Sequence, residues 1–168
     1  MGIGILHAGR KPLKGVELLA APLAYIAIYC LWIAVTQILL PFLYGIPRLG
    51  TWLNLYCVAI PFLLAVTALG FAISQVFKER EGVVFFLVVM GLPLFFLSGI
   101  SWPLESIPEP IRLIALLIPS TTAISAFVQV DQMGAGFNEV ADKILIELAL
   151  AVGYTILALS LMKFGQKK

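Results

Sequence analysis

The chain has 168 residues, of which 61% are hydrophobic and only 12% charged, and its mean hydropathy is +1.05. Ordinary soluble domains carry roughly 25% charged residues, so there is too little charge here to cover a water-facing surface, and the composition is that of an integral membrane protein. A formal charge of +2 is too small to argue for nucleic acid, there is no basic run interleaved with aromatics, and no nucleic-acid partner is expected.

The first 17 residues hold Arg10, Lys11 and Lys14 and read as a cytoplasmic N-terminal segment. GILHAGRK, Gly4–Lys11, superficially resembles a phosphate-binding loop. However, its lysine comes one position late, no Ser or Thr follows, and Pro12 blocks the helix start that would hold phosphate. His7 is the only histidine, which excludes a histidine-based metal cluster and argues against a Ser–His hydrolase. Cys30 and Cys57 lie in apolar runs without metal spacing and read as small buried hydrophobes.

A membrane helix needs about 20 mostly apolar residues, because ~30 Å of hydrocarbon is crossed at 1.5 Å per residue. Four segments qualify: Leu18–Tyr44, interrupted by Pro22 and Pro41; Trp52–Phe77; Val83–Trp102; and Ile144–Met162. Continuous apolar runs of this kind predict helices and not the alternating segments of a barrel. Gln37, Thr67, Ser74 and Gln75 are candidates for hydrogen bonds between helices. Glu147, about one turn into the fourth span, is expected to snorkel toward the outer interface. In the third span Gly91 and Pro93 are expected to kink the helix.

The loops set the orientation. Of the 11 Lys and Arg residues, Arg10, Lys11, Lys14, Lys78, Arg80, Lys163, Lys167 and Lys168 fall on one side, which the positive-inside rule makes cytoplasmic. Both termini are therefore expected inside, in a multi-pass protein of the cytoplasmic membrane. A fifth span over Ile111–Val130 would move the C-terminal lysines outside and bury Arg112 at a cost of ~2.5–3.5 kcal/mol.

Residues 106–130 are nonetheless too apolar for a solvated loop. Ser106 and Glu109 have the spacing of a capping box, Pro108 and Pro110 fit a first helical turn, and Pro119 breaks the run at Ile118. Ser120 or Thr121 can cap a second short helix through Val130. Two readings stand for this pair: an external re-entrant hairpin, or an interfacial pair lying flat on the bilayer. The fold class is thus all-α, a polytopic membrane helical bundle of four transmembrane helices plus an external re-entrant helical hairpin.

GLPLFFLSGISWPLESIPEPIRLIALLIPSTTAISAFVQVDQMGA, Gly91–Ala135, resembles the hallmark region of ABC transporter permeases of the ABC-2 type, in their multidrug-exporter branch. The shared pattern is an F-L-S-G run closing a span, a W-P-L-E turn, an amphipathic helix, a P-S-T break and a Q-M-G-A stretch before the last span. The likeness makes residues 18–165 a transmembrane domain matching the family's last four spans out of six. It implies the membrane subunit, or C-terminal half, of an ATP-driven exporter of hydrophobic or amphipathic substrates. Its partners would be a cytosolic ATPase that binds the ATP, a second permease copy or homologue, a periplasmic adaptor and membrane lipid, with no cofactor and no catalytic residue in this chain.

By the same resemblance Phe85, Phe86, Gly91, Pro93, Phe95, Phe96, Trp102, Pro103, Glu105 and Pro119 line the substrate path or its outer gate. Lys78, Glu79, Arg80 and Glu81 would contact the ATPase. Read as residues alone, the phenylalanines are interhelical or lipid-facing filler, Trp102 is an interfacial anchor and the charged quartet is a solvated turn. An accessory half-subunit, a membrane scaffold needing a second chain, is the alternative function.

The orientation is checked by replacing Cys30 and Cys57 with alanine and placing a single cysteine at Gln166. Labelling from the cytosolic face alone is expected, and labelling from the external face alone overturns the layout.

Overall fold

A computed structural model describes residues 15–77, 79–98 and 107–165, with the side chains of 15–22, 80, 164 and 165 left out of account. Helix α1 (Gly15–Ala34) passes through a π-helical turn at Val35–Leu39 into the short α2 (Leu40–Leu43). That turn lies just before Pro41, which has no N–H for the helical ladder and whose ring crowds the carbonyl four residues back. Helix α3 (Trp52–Val76) starts at Thr51, whose hydroxyl accepts the Asn54 N–H. Helix α4 is Arg80–Leu97, α5 is Glu109–Ala115, α6 is Pro119–Met133 and α7 is Phe137–Gly165. No strand occurs among the described residues, and the all-α bundle expected from the apolar runs is what forms.

Three helical stretches are long and apolar enough to cross a membrane: Leu23–Leu43, Trp52–Val76 and Phe137–Lys163. The third expected span appears as the shorter apolar helix Glu81–Leu97, and residues 99–102 of that expectation lie outside the described residues. Helices α5 and α6 meet at 88°, an elbow and not two antiparallel legs.

Helix α7 begins at Phe137, about two turns earlier than the apolar run suggests. Glu139 is the reason. From the first turn its carboxylate accepts the Gly136 backbone N–H at 2.9 Å, closing the helix start from within. The polar residues 137–143 therefore belong to the helix although they do not look like membrane.

The packing is organised on α3 and α7, which lie side by side in the same direction: Asn54, near the start of α3, donates to the carbonyl of Ala135, just before α7. Ala59, Ala65 and Ala72 on α3 and Ala151 and Ala158 on α7 are buried, and such small residues let two backbones approach closely. Helix α6 returns alongside this pair. Leu55 and Val58 of α3, Ala126 and Val130 of α6, and Val140 and Ile144 of α7 form one buried cluster.

The corner of the elbow lies against the middle of α7. The Tyr154 hydroxyl donates to the Leu117 carbonyl at that corner, and Tyr154 is 17 residues, about 25 Å, along the helix from Phe137. Thr121 in the first turn of α6 donates to the Leu97 carbonyl at the end of α4, at 3.1 Å. Pro119 occupies the first helical position, and no side chain caps this helix. The capping role expected of Ser120 or Thr121 is therefore not taken up: both fall inside the first turn, and Thr121 spends its hydroxyl on a neighbouring helix. At α5 likewise no side chain caps the start at Pro108, and Ser106 lies outside the described residues.

The α2–α3 loop is clasped to the far end of α6. Arg48 and Asp131 form an ion pair joined by a hydrogen bond, and the Leu49 N–H donates to the Asp131 carbonyl at 3.2 Å. Gly50 lies so close to α6 that an added Cβ would overlap the Val130 carbonyl. Gly134, with φ of +69°, closes α6 while the Ala135 N–H returns to the Gln129 carbonyl at 3.0 Å. Lys143 of α7 donates to the Gln129 side chain at 2.8 Å.

Two measurements check this clasp by thermal unfolding in lipid nanodiscs. Gly50→Ala is expected to lower stability by about 1–3 kcal/mol, because the backbone of α6 must shift to admit a methyl group; unchanged unfolding would show that the close approach is not required. Arg48→Ala is expected to cost about 1–2 kcal/mol, a charge-assisted hydrogen bond discounted for partial exposure. The Arg48→Ala/Asp131→Ala double variant should lose less than the sum of the single losses.

Candidate functional site

The region where α4, the elbow and α7 meet collects most of the buried polar groups. Thr121, Thr122 and Glu147 are all nearly inaccessible, and Pro119 is fully buried beside them. Thr121 and Tyr154 have the partners just described. Glu147 does not: it is 1% exposed, and neither carboxylate oxygen has a hydrogen-bond partner among the described residues. Its carboxylate lies against the Ala123 amide of α6, but no bond of normal geometry closes there. The Thr122 hydroxyl is also buried and without a partner among those residues.

This corrects the snorkelling expected of Glu147. Glu147 lies on the face of α7 that α6 covers and is closed off there, so its carboxylate does not extend to an exposed surface. For the earlier helix start, the signal was the polar but helix-compatible run FNEVADK, with Glu139 three residues after Gly136.

The expected interhelical role of Thr67 and Ser74 is likewise not what forms. Thr67 donates to its own helix at Leu63, Ser74 to Phe71, and Gln75 to the Ser74 hydroxyl. A hydroxyl in an apolar helix has a backbone carbonyl three or four residues back within reach, and that local acceptor wins. Bonds between elements come instead from longer or differently placed groups: Tyr56 to the Cys30 carbonyl, Asn54 to Ala135, Thr121 to Leu97 and Tyr154 to Leu117.

Helix α4 carries the aromatic residues singled out for a substrate path. Phe85 is 71% exposed, Phe95 and Phe96 are about half-exposed and meet edge to face at 5.9 Å, and Phe86 packs on Phe77 at 5.4 Å. The helix continues through Gly91 and Pro93, both on exposed positions. Pro119 is at the elbow corner. Of the charged quartet, Glu79 precedes α4 and Glu81 lies in its first turn, where an acid favours the helix dipole. Arg80 begins that helix. Lys78, Trp102, Pro103 and Glu105 lie outside the described residues.

A groove of about 320 Å³ runs between α3 and α7, lined by Leu64, Leu148, Ala151, Val152, Thr155 and Ile156. The only polar lining residue, Thr155, spends its hydroxyl on the Ala151 carbonyl at 2.7 Å, so the walls are apolar in effect. No group of three or more His, Cys, Asp or Glu residues that could hold a metal occurs among the described residues.

The profile of the ABC-2 family transporter proteins matches residues 17–160. Two curated relatives, both called "Inner membrane transport permease YhhJ", from Escherichia coli K12 and Shigella flexneri, are each 29% identical over 102 residues. That alignment covers 61% of this chain and 27% of each relative, so the chain matches about a quarter of their length. No solved structure matches. With the profile spanning every described helix almost end to end, and the polytopic helical bundle formed as the apolar runs require, the chain belongs to the ABC-2 family of transporter proteins.

Proposed function

We propose that this chain is membrane-spanning permease material of an ATP-driven exporter in the cytoplasmic membrane, moving a hydrophobic or amphipathic substrate outward. The family match over residues 17–160 carries the reading, and the named permeases of the two enterobacteria support the transport role and the inner-membrane location. ATP hydrolysis belongs, on this reading, to a cytosolic ATPase partner. The turn at Lys78–Glu81, between the ends of α3 and α4, is the contact candidate on the cytosolic face. A second permease chain and an adaptor outside the membrane complete the assembly.

On this reading the elbow is the gate. Its corner is wedged between the end of α4 and the middle of α7 and is tied to each by one side-chain hydrogen bond, through Thr121 and Tyr154. Two such bonds, each worth about 1 kcal/mol net, hold the corner without locking it. Rocking of α4 or α7 by the ATPase would release one bond before the other and shift the elbow corner between them.

Purification in mild detergent is expected to retain a stoichiometric ATPase subunit, and Lys78→Glu/Arg80→Glu to weaken its retention. Recovery of the chain without any ATPase, from membranes that contain one encoded beside it, would overturn the exporter reading.

A further inference from the structure

The helices themselves serve as rulers for the depth of the elbow. Helix α7 enters its apolar run at Ile144, and Tyr154 lies ten residues, about 15 Å, further along. Its hydroxyl meets the Leu117 carbonyl, so the corner of the elbow lies about half-way through ~30 Å of hydrocarbon. Helix α4 gives a second reading from the opposite face. It is 18 residues, about 27 Å, long, and the carbonyl of its last residue, Leu97, meets Thr121, four residues outward of Leu117. Both rulers put the corner well inside the bilayer.

Helix α6 runs back from that corner along α7. Twelve residues separate Leu117 from Gln129, and eleven separate Lys143 from Tyr154, their respective partners. The two helices are therefore antiparallel with little relative tilt. Helix α5 meets α6 at 88°, so it lies across the bilayer near mid-depth, and its seven residues, about 10 Å, are too short to leave that layer. Its last turn is packed on protein at Ala115. Its first turn is open and carries two charges: the side chains of Glu109 and Arg112 are 78% and 43% exposed and lie 3.8 Å apart. Charges at membrane depth face protein or a water-filled cavity and not lipid. A separation beyond hydrogen-bond range is that of a solvated pair.

We propose that the Glu109–Arg112 edge of α5 lines a water-filled vestibule that dips to the middle of the bilayer and admits small hydrophilic ions of either sign. Leu97 and α6 both lie on one side of the corner, the side on which α6 ends, so the dip opens there; the lysine distribution makes that side external. The inference takes its transport meaning from the permease reading, with the vestibule as the outer part of the path, but water at α5 requires no ATPase.

The test uses the full chain in sealed right-side-out membrane vesicles, with Cys30 and Cys57 replaced by alanine and a single cysteine introduced by Glu109→Cys or Arg112→Cys. Two small charged methanethiosulfonates, a trimethylammonium and a sulfonate, are applied from outside. A polymer-linked maleimide too large for a narrow opening is applied in parallel, and inside-out vesicles present the opposite face. Both positions are expected to react with the small reagents from outside and to resist the polymer. Leu31→Cys, exposed within the span of α1, should resist all three, and Asn138→Cys, at the external start of α7, should react with all three. The remaining charge sets the preference: Arg112→Cys, which keeps the acid, should react several-fold faster with the trimethylammonium reagent, and Glu109→Cys, which keeps the guanidinium, with the sulfonate. Reaction of both positions with the polymer would place α5 at the bilayer surface. No reaction with the small reagents would place it in lipid or under protein, and reaction only from the cytosolic face would open the dip the other way. Each of these results overturns the vestibule. None of them touches retention of the ATPase, so the two readings stand or fall separately.

Discussion

The close contact between α3 and α7 is the constraint on which the other elements depend. In a bilayer there is no hydrophobic gain in pressing two greasy helices together, since lipid tails are as apolar as leucine. What remains is dispersion at short range, and buried alanines along both helices make that range available. Other long side chains of the same helices, among them Leu53, Val66, Leu145 and Val152, point outward, where lipid or other spans can meet them. Once the two helices lie parallel, one end of the pair offers a surface of Leu55, Val58, Val140 and Ile144 onto which α6 closes.

The elbow is possible because its irregular backbone finds partners. Chain breaks at membrane depth survive only where carbonyls and amides freed by the break are satisfied in protein or open to a watery cavity. Here the Leu117 carbonyl, freed at the end of α5, takes the Tyr154 hydroxyl, and the Leu97 carbonyl, freed at the end of α4, takes Thr121. Pro119 contributes by having no amide to satisfy at the start of α6. At the opposite end of α6 the clasp built on Asp131 serves the same purpose for the loop at 48–50, with a charge pair added. The elbow is thus fastened at both ends of α6 by polar contacts and along its length by small apolar ones.

Helices α1 and α4 are of another kind. Leu31 and Trp32 on α1 and Phe85, Val88 and Leu92 on α4 are each more than 60% exposed; α1 touches α3 along one side, through Ile33 and the Tyr56 bond to the Cys30 carbonyl, and α4 packs little on the α3–α7 pair. Their exposed apolar faces suit lipid or the faces of other membrane helices. The contrast places the closely packed region of the chain in α3, α6 and α7.

Much of this was legible in the residues. Apolar run length and the scarcity of charge determined the membrane class and the all-α architecture, since only helices satisfy every backbone group within one segment. Pro119 and the apolar residues on either side of it announced a break within a greasy stretch, and the pattern of residues 91–135 pointed to the family. The tertiary structure alone decided the start of α7, where Glu139 folds back on Gly136 and carries the helix through a polar run. It decided that Thr67 and Ser74 bond within their own helix and that Tyr154 and Asn54 make the bonds between elements. It also decided the burial of Glu147, because α6 packs across the face of α7 that carries the acid. Run length is a local property and is written in the chain; which face of a helix is covered, and at what depth, depends on neighbours that only folding brings together.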